Sequence, residues 1–397
     1  MRDPQLIPEM ATHDGFRAAA RRWLAEHSSQ APRTDDREEL IAWQTRLVEA
    51  GLLGVMWPSE YGGGGLGHRE SAIAQEEIER AGVPGVFDVL GMEIFGPTFV
   101  LEAGSEQKQR YLPGILRGEE LWCQLFSEPA AGSDLAGIRT RARRSEQGTW
   151  VVNGQKVWTT NAQFASFGAA LVRTDPDVPK HAGLTLIVIP MDAPGVSVRG
   201  LRQISGKAEF NEVFLDDVEV PEANVIGGVG RGWAVAMRAL MFERSSMALS
   251  GEGMNLRIER FANALRARPD LRHDRDALRR LGDIAVELLA VAEGSAQMVK
   301  RLRDGEAPSP TVGLNKVTLV NAAMRGCDLL GELLGPDVLA PGSEWAEAIS
   351  FLPGMRSAGG TEEVLRNNIG ERVLGLPPEP RPDKNVPFSS LLAGGAA

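Results

Sequence analysis

Four short segments carry residue types that could do chemistry. The first is Ser127-Glu128-Pro129-Ala130-Ala131-Gly132-Ser133-Asp134. Pro129 fixes one φ angle, and Gly132 permits a conformation that other residues resist. Hydroxyls on Ser127 and Ser133 and nearby backbone N–H groups could meet the polar edge of a flat ligand. An ordinary turn closed by Ser and Asp side chains would look the same, so both readings stay open. The second segment is Trp150-Val151-Val152-Asn153-Gly154-Gln155-Lys156-Val157-Trp158-Thr159-Thr160-Asn161. Asn-Gly between two β-rich runs predicts a hairpin turn at Asn153-Gly154. The strand after it would deliver Trp158 beside Thr159 and Thr160, either as plain core or as a platform for a planar ring.

The third segment is Glu243-Arg244. Trp233, Met237, Leu240 and Met241 mark an apolar helix face, with Arg244 near it and Glu243 at its margin. A surface Glu beside a snorkelling Arg is one reading. A carboxylate base in an apolar, desolvated site is the other. The fourth is Gly359-Gly360-Thr361-Glu362-Glu363, two glycines and a threonine opening a helix to about Val373. A helix N-terminus suits a pyrophosphate, although Thr361, Glu362 and Glu363 could equally form a plain cap. Glu362 and Glu363 would repel a phosphate.

The elements that hold these segments follow from periodicity. Phe16–Glu26, Glu38–Ala50, Arg69–Ala81 and Glu106–Arg117 predict helices, with Gly51 a stop for the second. Gly62–Gly65 reads as a loop rather than a phosphate cradle. From Leu121 to Val225 the period shortens. Val151-Val152, Leu184–Met191, Val196–Val198 and Val213–Val220 are β-like runs between Gly, Pro, Asn and Asp, which suits a small antiparallel barrel or sandwich. Gly232–Leu265, Arg275–Leu302 and Pro310–Leu334 carry apolar stripes at helical spacing. The boundaries expected are a helical domain at 1–120, a β-barrel at 121–228, a helical bundle at 229–376 and a Pro-rich extended tail at 377–397.

Composition narrows the function. A chain of 397 residues with 43% hydrophobic and 24% charged residues is ordinary globular protein of two or three domains. A net charge of −10 argues against nucleic acid or an anionic membrane as the main partner. Cys123 and Cys327, far apart in sequence, offer no disulfide framework, and the N-terminus has no apolar signal core; a cytoplasmic location is expected. No run is long enough for a membrane span. The histidines show no metal-ligand spacing, and the HExxH, Walker and G-x-S-x-G patterns are missing.

"LFSEPAAGSD" followed by "NGQKVWTTNA" resembles the acyl-CoA dehydrogenase family. Its members carry a Thr/Ser-Glu-Pro-x-Ala-Gly-Ser-Asp loop and then Asn-Gly-x-Lys-x-Trp-Ile/Thr-Thr/Ser. Asn211–Pro221 is similar to the last strand of the family's β-barrel, and "GGTEEVLRNNIGERVLGLP" to its closing signature. The resemblance implies an α+β fold: an N-terminal helical domain, a middle β-barrel and a C-terminal four-helix bundle. It implies FAD and the α,β-dehydrogenation of an acyl-CoA thioester to the trans-2-enoyl form, with electrons passed to an electron-transferring flavoprotein. Phe126, Ser127, Gly132 and Ser133 would touch flavin and the thioester-pantetheine. Trp158 would stack on the isoalloxazine, with Thr159 and Thr160 at its polar edge. Gly360, Thr361 and Glu363 would meet the FAD diphosphate and adenosine.

The family holds its base at one of two places. At the first, before a Gly-Thr, this chain has Gly359; at the second, before an Arg on a bundle helix, it has Glu243. The resemblance therefore makes Glu243 the base, with Arg244 fixing local charge and reaching substrate. One departure concerns Leu265–Arg272, which lacks the family's Phe-Gly of the segment that reaches the FAD of a neighbouring subunit. A homotetramer or dimer is expected, with a heterotetramer as the variant this departure suggests. Alternatives on the same fold are a dehydrogenase of carrier-protein-bound thioesters, a flavin monooxygenase, or the structural partner subunit of a heteromeric dehydrogenase.

Overall fold

The computed structural model describes residues 12–33, 36–249, 258–271, 273–303, 311–340 and 343–393. The chain divides into two compact units. One holds residues 1–201, 208–242 and 381–397; the other holds residues 202–207 and 243–380.

The first unit opens with helices α1 (His13–His27), α2 (Arg37–Glu49) and α3 (His68–Ala81). Thr12 caps α1 by accepting from the Gly15 N–H, and Asp36 caps α2 through the Glu39 N–H. Their inner faces bury Phe16, Trp23, Leu24, Trp43, Leu47, Ile73 and Ile78 together. The glycine run is a structural loop. A Cβ on Gly63 would lie 2.3 Å from the Trp57 carbonyl oxygen, and one on Gly64 would lie 2.1 Å from that of Val55. A π-helical turn (Leu90–Phe95) leads into α4 (Gly96–Glu102) and α5 (Ser105–Arg117).

One eight-stranded sheet follows. Its strands are β1 (Trp122–Leu125), β2 (Arg141–Arg144), β3 (Trp150–Thr160), β4 (Phe167–Arg173), β5 (Leu184–Pro190), β6 (Val196–Leu201), β7 (Phe210–Val220) and β8 (Val225–Ile226). The path is β6-β7-β3-β2-β4-β5-β8, with β1 on β4. Alternation on β4 and β5 sends side chains to two cores. Ala169, Leu171, Leu186 and Val188 meet Phe95, Phe99, Leu112, Ile115 and Trp122. Ala170, Val172, Ile187 and Ile189 meet Trp150, Val152, Val213, Leu215 and Val218, so the sheet wraps round a core of its own. This two-sided burial explains why both strands read as unbroken apolar runs.

The Asn153-Gly154 expectation fails. Both residues lie inside β3, where the register with β7 shifts between Val152 and Gly154. Asn153 donates to Asp217 Oδ1 at 2.9 Å and accepts from the Asp217 N–H at 3.1 Å, which holds the bulge. Gly154 has φ of 155°, and a Cβ there would meet Thr140 Oγ1 at 2.3 Å. The β2–β3 turn is Ser145–Thr149 instead, closed by the Ser145 N–H on the Thr149 carbonyl.

Helix α6 (Gly232–Leu249) belongs to the first unit as far as Phe242 and to the second from Glu243. The second unit continues with α7 (Ile258–Arg266), α8 (Arg275–Arg303), α9 (Val312–Leu334), α10 (Glu344–Met355) and α11 (Glu362–Arg372). Phe261, Ile284, Leu288, Ala323, Leu330, Trp345 and Leu352 form its core. The single helix expected over 232–265 meets two, and residues 250–257 between them lie outside the described residues. The first residue of the helix expected over 310–334 also lies outside them. The expected extended tail runs without regular structure only to Arg381, turns over residues 382–385, and ends in a short helix, α12 (Phe388–Ala393). Among the described residues no helix is long and apolar enough to cross a membrane.

Asp88, just before the π-helical turn, is 7% exposed and accepts from the Gly91 N–H at 3.1 Å and the Trp122 N–H at 3.2 Å. Burial pushes its carboxyl up from 3.8 to about 7, against the pull of those two N–H groups and of Arg37. The folded chain therefore holds this proton more tightly than the unfolded chain does. The stability it contributes is complete below about pH 4 and lost as pH rises through about 7. Relative to the Asp88→Asn variant, the wild-type unfolding midpoint should fall between pH 5 and pH 8. The difference is on the order of 1 to 4 kcal/mol, and pH-invariant relative midpoints would contradict it.

Candidate active site

In the first unit the active-site candidates are organised by a buried ion pair. Lys156 is 0% exposed, and its ammonium donates to Glu128 Oε1 at 2.9 Å, the Phe126 carbonyl at 3.1 Å and the Leu171 carbonyl at 2.7 Å. Its three N–H bonds are thus all used. Glu128 also accepts from the Arg139 N–H at 2.6 Å and the Thr140 N–H at 2.9 Å. Burial alone would raise the Glu128 pKa; the Lys156 charge and these N–H groups outweigh it and hold the carboxyl below its ordinary value. The Val157 N–H bonds the Ser127 carbonyl at 2.9 Å, so the Ser127–Asp134 loop is bound to β3 by backbone as well.

The loop residues differ in what they offer. Phe126 is 2% exposed and packs edge-on against Phe95, so its ring belongs to the core and only its backbone is left for a ligand. Ser127 is half-buried, while Gly132 and Ser133 are exposed. Gly132 is not among the positive-φ glycines, and a Cβ there would meet nothing within 4 Å. The special conformation that Gly132 permits is not needed by the chain itself.

Trp158 sits on a second bulge, between Lys156 and Thr159. Its φ is 60°, a strained value for a bulky residue, and its indole is 62% exposed, edge-on to Phe210 at 6.0 Å. Thr159 is 0% exposed, and its hydroxyl makes no hydrogen bond among the described residues. The Thr159 side chain is thus covered, while Thr160 is half-buried.

In the second unit Glu243 and Arg244 are both half-buried. Arg244 Nε is buried without a hydrogen bond among the described residues. Burial lowers the Arg244 pKa, opposed by the Glu243 charge, while Arg372 lowers it further. Lys316 donates to the Gly360 carbonyl at 2.7 Å. Its ammonium is also depressed by burial, against the charges of Glu362, Glu243 and Glu363. Gly359 and Gly360 have φ of 62° and 98°, and Thr361 caps α11 by accepting from the Val364 N–H at 3.2 Å. Glu362 bonds Arg366, Asn321 and Arg356, which hold its carboxyl down at about 2. Its charge is thereby compensated, which removes most of the phosphate repulsion the sequence suggested. Glu363 is exposed.

Sequence reasoning passed over Lys156, Lys316 and Asp88. Lys156 carried a weak signal as a lone cation in a β-rich run, but its carboxylate partner, Glu128, lies 28 residues earlier. Lys316 had none, because its partner is a backbone carbonyl 44 residues away.

Comparison with known proteins covers nearly the whole chain. Residues 10–119, 123–218 and 230–374 match the family models for the N-terminal, middle and C-terminal domains of acyl-CoA dehydrogenase. The chain is 36% identical over 384 residues to acyl-CoA dehydrogenase IpdE1 of Mycobacterium tuberculosis (strain ATCC 25618 / H37Rv), covering 92% of this chain and 98% of that one. It is 38% identical over 340 residues to acyl-CoA dehydrogenase FadE34 of the same organism, of which it spans 46%. Among solved structures, the Tcur3481-Tcur3483 steroid ACAD is similar with a TM-score of 0.78 and 28% identity, over 94% of this chain and 99% of that one.

The chain belongs to the acyl-CoA dehydrogenase family. It is an FAD-dependent oxidoreductase that dehydrogenates an acyl-CoA thioester between its α and β carbons. Each unit by itself has features compatible with that cofactor. The first has an exposed indole on a strained bulge, a flat face; the second has two left-handed glycines that lead into a capped helix N-terminus.

Replacing Lys156 by Met leaves Glu128 buried without its cation. Lys156→Met should cost about 3–5 kcal/mol of folding stability and lower FAD content in parallel. Denaturant midpoints and bound flavin per chain check this, and a loss below about 1 kcal/mol would contradict a structural role for the pair.

Proposed function

We propose that Glu243 is the base that removes the substrate α-proton, and that the acyl group is bulky and polycyclic. The observation that carries the base assignment is Gly359. With φ of 62° it occupies a conformation that disfavours a glutamate at the family's other base position, while Glu243 is half-buried and its charge acts on Arg244 and Lys316. FAD, when bound, supplies the hydride acceptor for the β-carbon. Ser127, Thr160 and Trp158 bind and orient the flavin, with Phe126 and Gly132 contributing backbone. Ser133 in the first unit is a thioester contact, so that charge developing beside the carbonyl is stabilised. Arg244 in the second unit binds substrate and fixes the local charge at Glu243. Gly360, Thr361 and Glu363 take the diphosphate and adenosine side. Electrons then pass to an electron-transferring flavoprotein.

The steroid ACAD similar over 94% of this chain supports the bulky acyl group. A second reading concerns assembly. The Leu265–Arg272 segment lacks the Phe-Gly expected there, and a similar solved structure, at a TM-score of 0.74 and 27% identity, is described as the ChsE4-ChsE5 complex from Mycobacterium tuberculosis. Both observations support a heteromer with a second, related chain over a homotetramer or dimer.

Anaerobic flavin bleaching tests the reaction and the base. Straight-chain, branched and polycyclic acyl-CoAs are added to the FAD-loaded chain, and flavin absorbance is followed. Polycyclic thioesters should bleach the wild type. Glu243→Gln should slow bleaching by about 10²- to 10⁴-fold with FAD retained. Equal rates would remove Glu243 as base. Preference for a straight-chain thioester would overturn the substrate class. A chain that binds FAD only when a second subunit is added would decide for the heteromer.

A further inference from the structure

The C-terminal segment after Pro380 folds back onto the first unit through contacts unrelated to the bundle. The Phe388 N–H donates to the Val178 carbonyl at 3.0 Å, and the Ser389 N–H to the Pro176 carbonyl at 2.7 Å. Pro387 and Pro179 form an isolated antiparallel bridge. The segment thus pairs with the β4–β5 connection by main chain, which fixes its register whatever its side chains are.

Two side chains of that region connect the segment to the ligand loop. Lys180, its side chain 12% exposed, reaches Asp383 Oδ2 at 2.6 Å and both Asp134 oxygens at 2.9 and 3.0 Å. Asp134 directly follows Ser133. Arg173, 4% exposed, donates to the carbonyls of Ala136 at 2.6 Å, Ile138 at 3.3 Å and Lys180 at 2.8 Å. Its guanidinium lies 3.7 Å from the centre of the Phe388 ring, which is 5% exposed and covers it. Without that ring water would reach the guanidinium and compete for the bonds that hold residues 136–138.

We infer that Arg381–Ala393 is a strap that positions the Gly132-Ser133-Asp134 end of the ligand loop, with Phe388 and Asp383 as positioning residues acting through Arg173 and Lys180. Neither residue touches substrate. The effect on catalysis rests on the reading of Ser133 as a thioester contact; the effect on loop order does not.

The test uses the full FAD-loaded chain, with Phe388→Ala, Phe388→Tyr, Asp383→Asn and a chain ending at Pro380. Hydrogen exchange in a peptide spanning 130–138 should rise about 5-fold in Phe388→Ala and in the shortened chain, with the peptide over 184–190 unchanged. Phe388→Tyr, which keeps the ring face, should restore wild-type exchange. With the acyl-CoA that bleaches wild type best, KM should rise about 5-fold in Phe388→Ala and less in Asp383→Asn, with kcat and FAD content held within about 2-fold. Unchanged exchange over 130–138 overturns the strap, as does an equal rise over 184–190, which would mean general loosening. Ser133→Ala separates the two readings. If it leaves KM unchanged while Phe388→Ala loosens the loop, the strap stands and the Ser133 assignment falls. If it raises KM and Phe388→Ala alters neither exchange nor KM, the strap falls.

Discussion

A single buried ammonium sets the geometry of the first unit. Lys156 has no exposed surface, so every bond it makes must compensate for lost water. It does so with one carboxylate and two carbonyls, and each acceptor belongs to a different piece of chain: Glu128 in the loop, Phe126 at the end of β1, Leu171 in β4. Moving any of the three would strand a buried charge. Glu128 adds the N–H groups of Arg139 and Thr140, the residues that lead into β2. The pair thus ties both ends of the 127–138 region to the sheet. The loop can then expose Gly132 and Ser133 without depending on their own packing, which is little.

Strain is placed beside this anchor. The non-glycine residues with positive φ among the described residues are Trp158, Asn161 and Asp217, on or next to β3 and β7. Each costs on the order of 1–3 kcal/mol. The two longest strands, paired from Trp150–Val220 to Thr160–Phe210, over-determine their positions and offset that cost. The yield is one outward indole. A regular strand would alternate, and Lys156 and Trp158 would share a face; the bulge between them lets one be buried and the other exposed.

Periodicity made the helices and the β region legible, because α1, α2, α3 and α5 bury one stripe each and β4 and β5 bury both faces. Motif resemblance made the loop, Trp158 and the α11 entry legible. What failed was local inference on residues whose conformation is set from across the fold. Asn153-Gly154 has the chemistry of a turn, yet Asp217 on the neighbouring strand turns it into a bulge. Thr159 and Thr160 are equal in sequence, and only the register with β7 decides which one is buried. Lys316 and Lys180 act on partners 44 and 46 or more residues away, which a linear reading of charge cannot pair.

The second unit sets a charge problem that constrains how a base there could work. Glu243 lies near two cations, Arg244 and Lys316, each of which is itself penalised by burial. On the reading proposed above, protonation of Glu243 would leave Arg244 and Lys316 with less of the negative charge that opposes their burial. Gly359, with φ of 62°, and Gly360 form a turn held by Lys316 through the Gly360 carbonyl. The charge of Glu243 acts on the same lysine, so on the reading proposed above the turn that leads into α11 and the base share one cation.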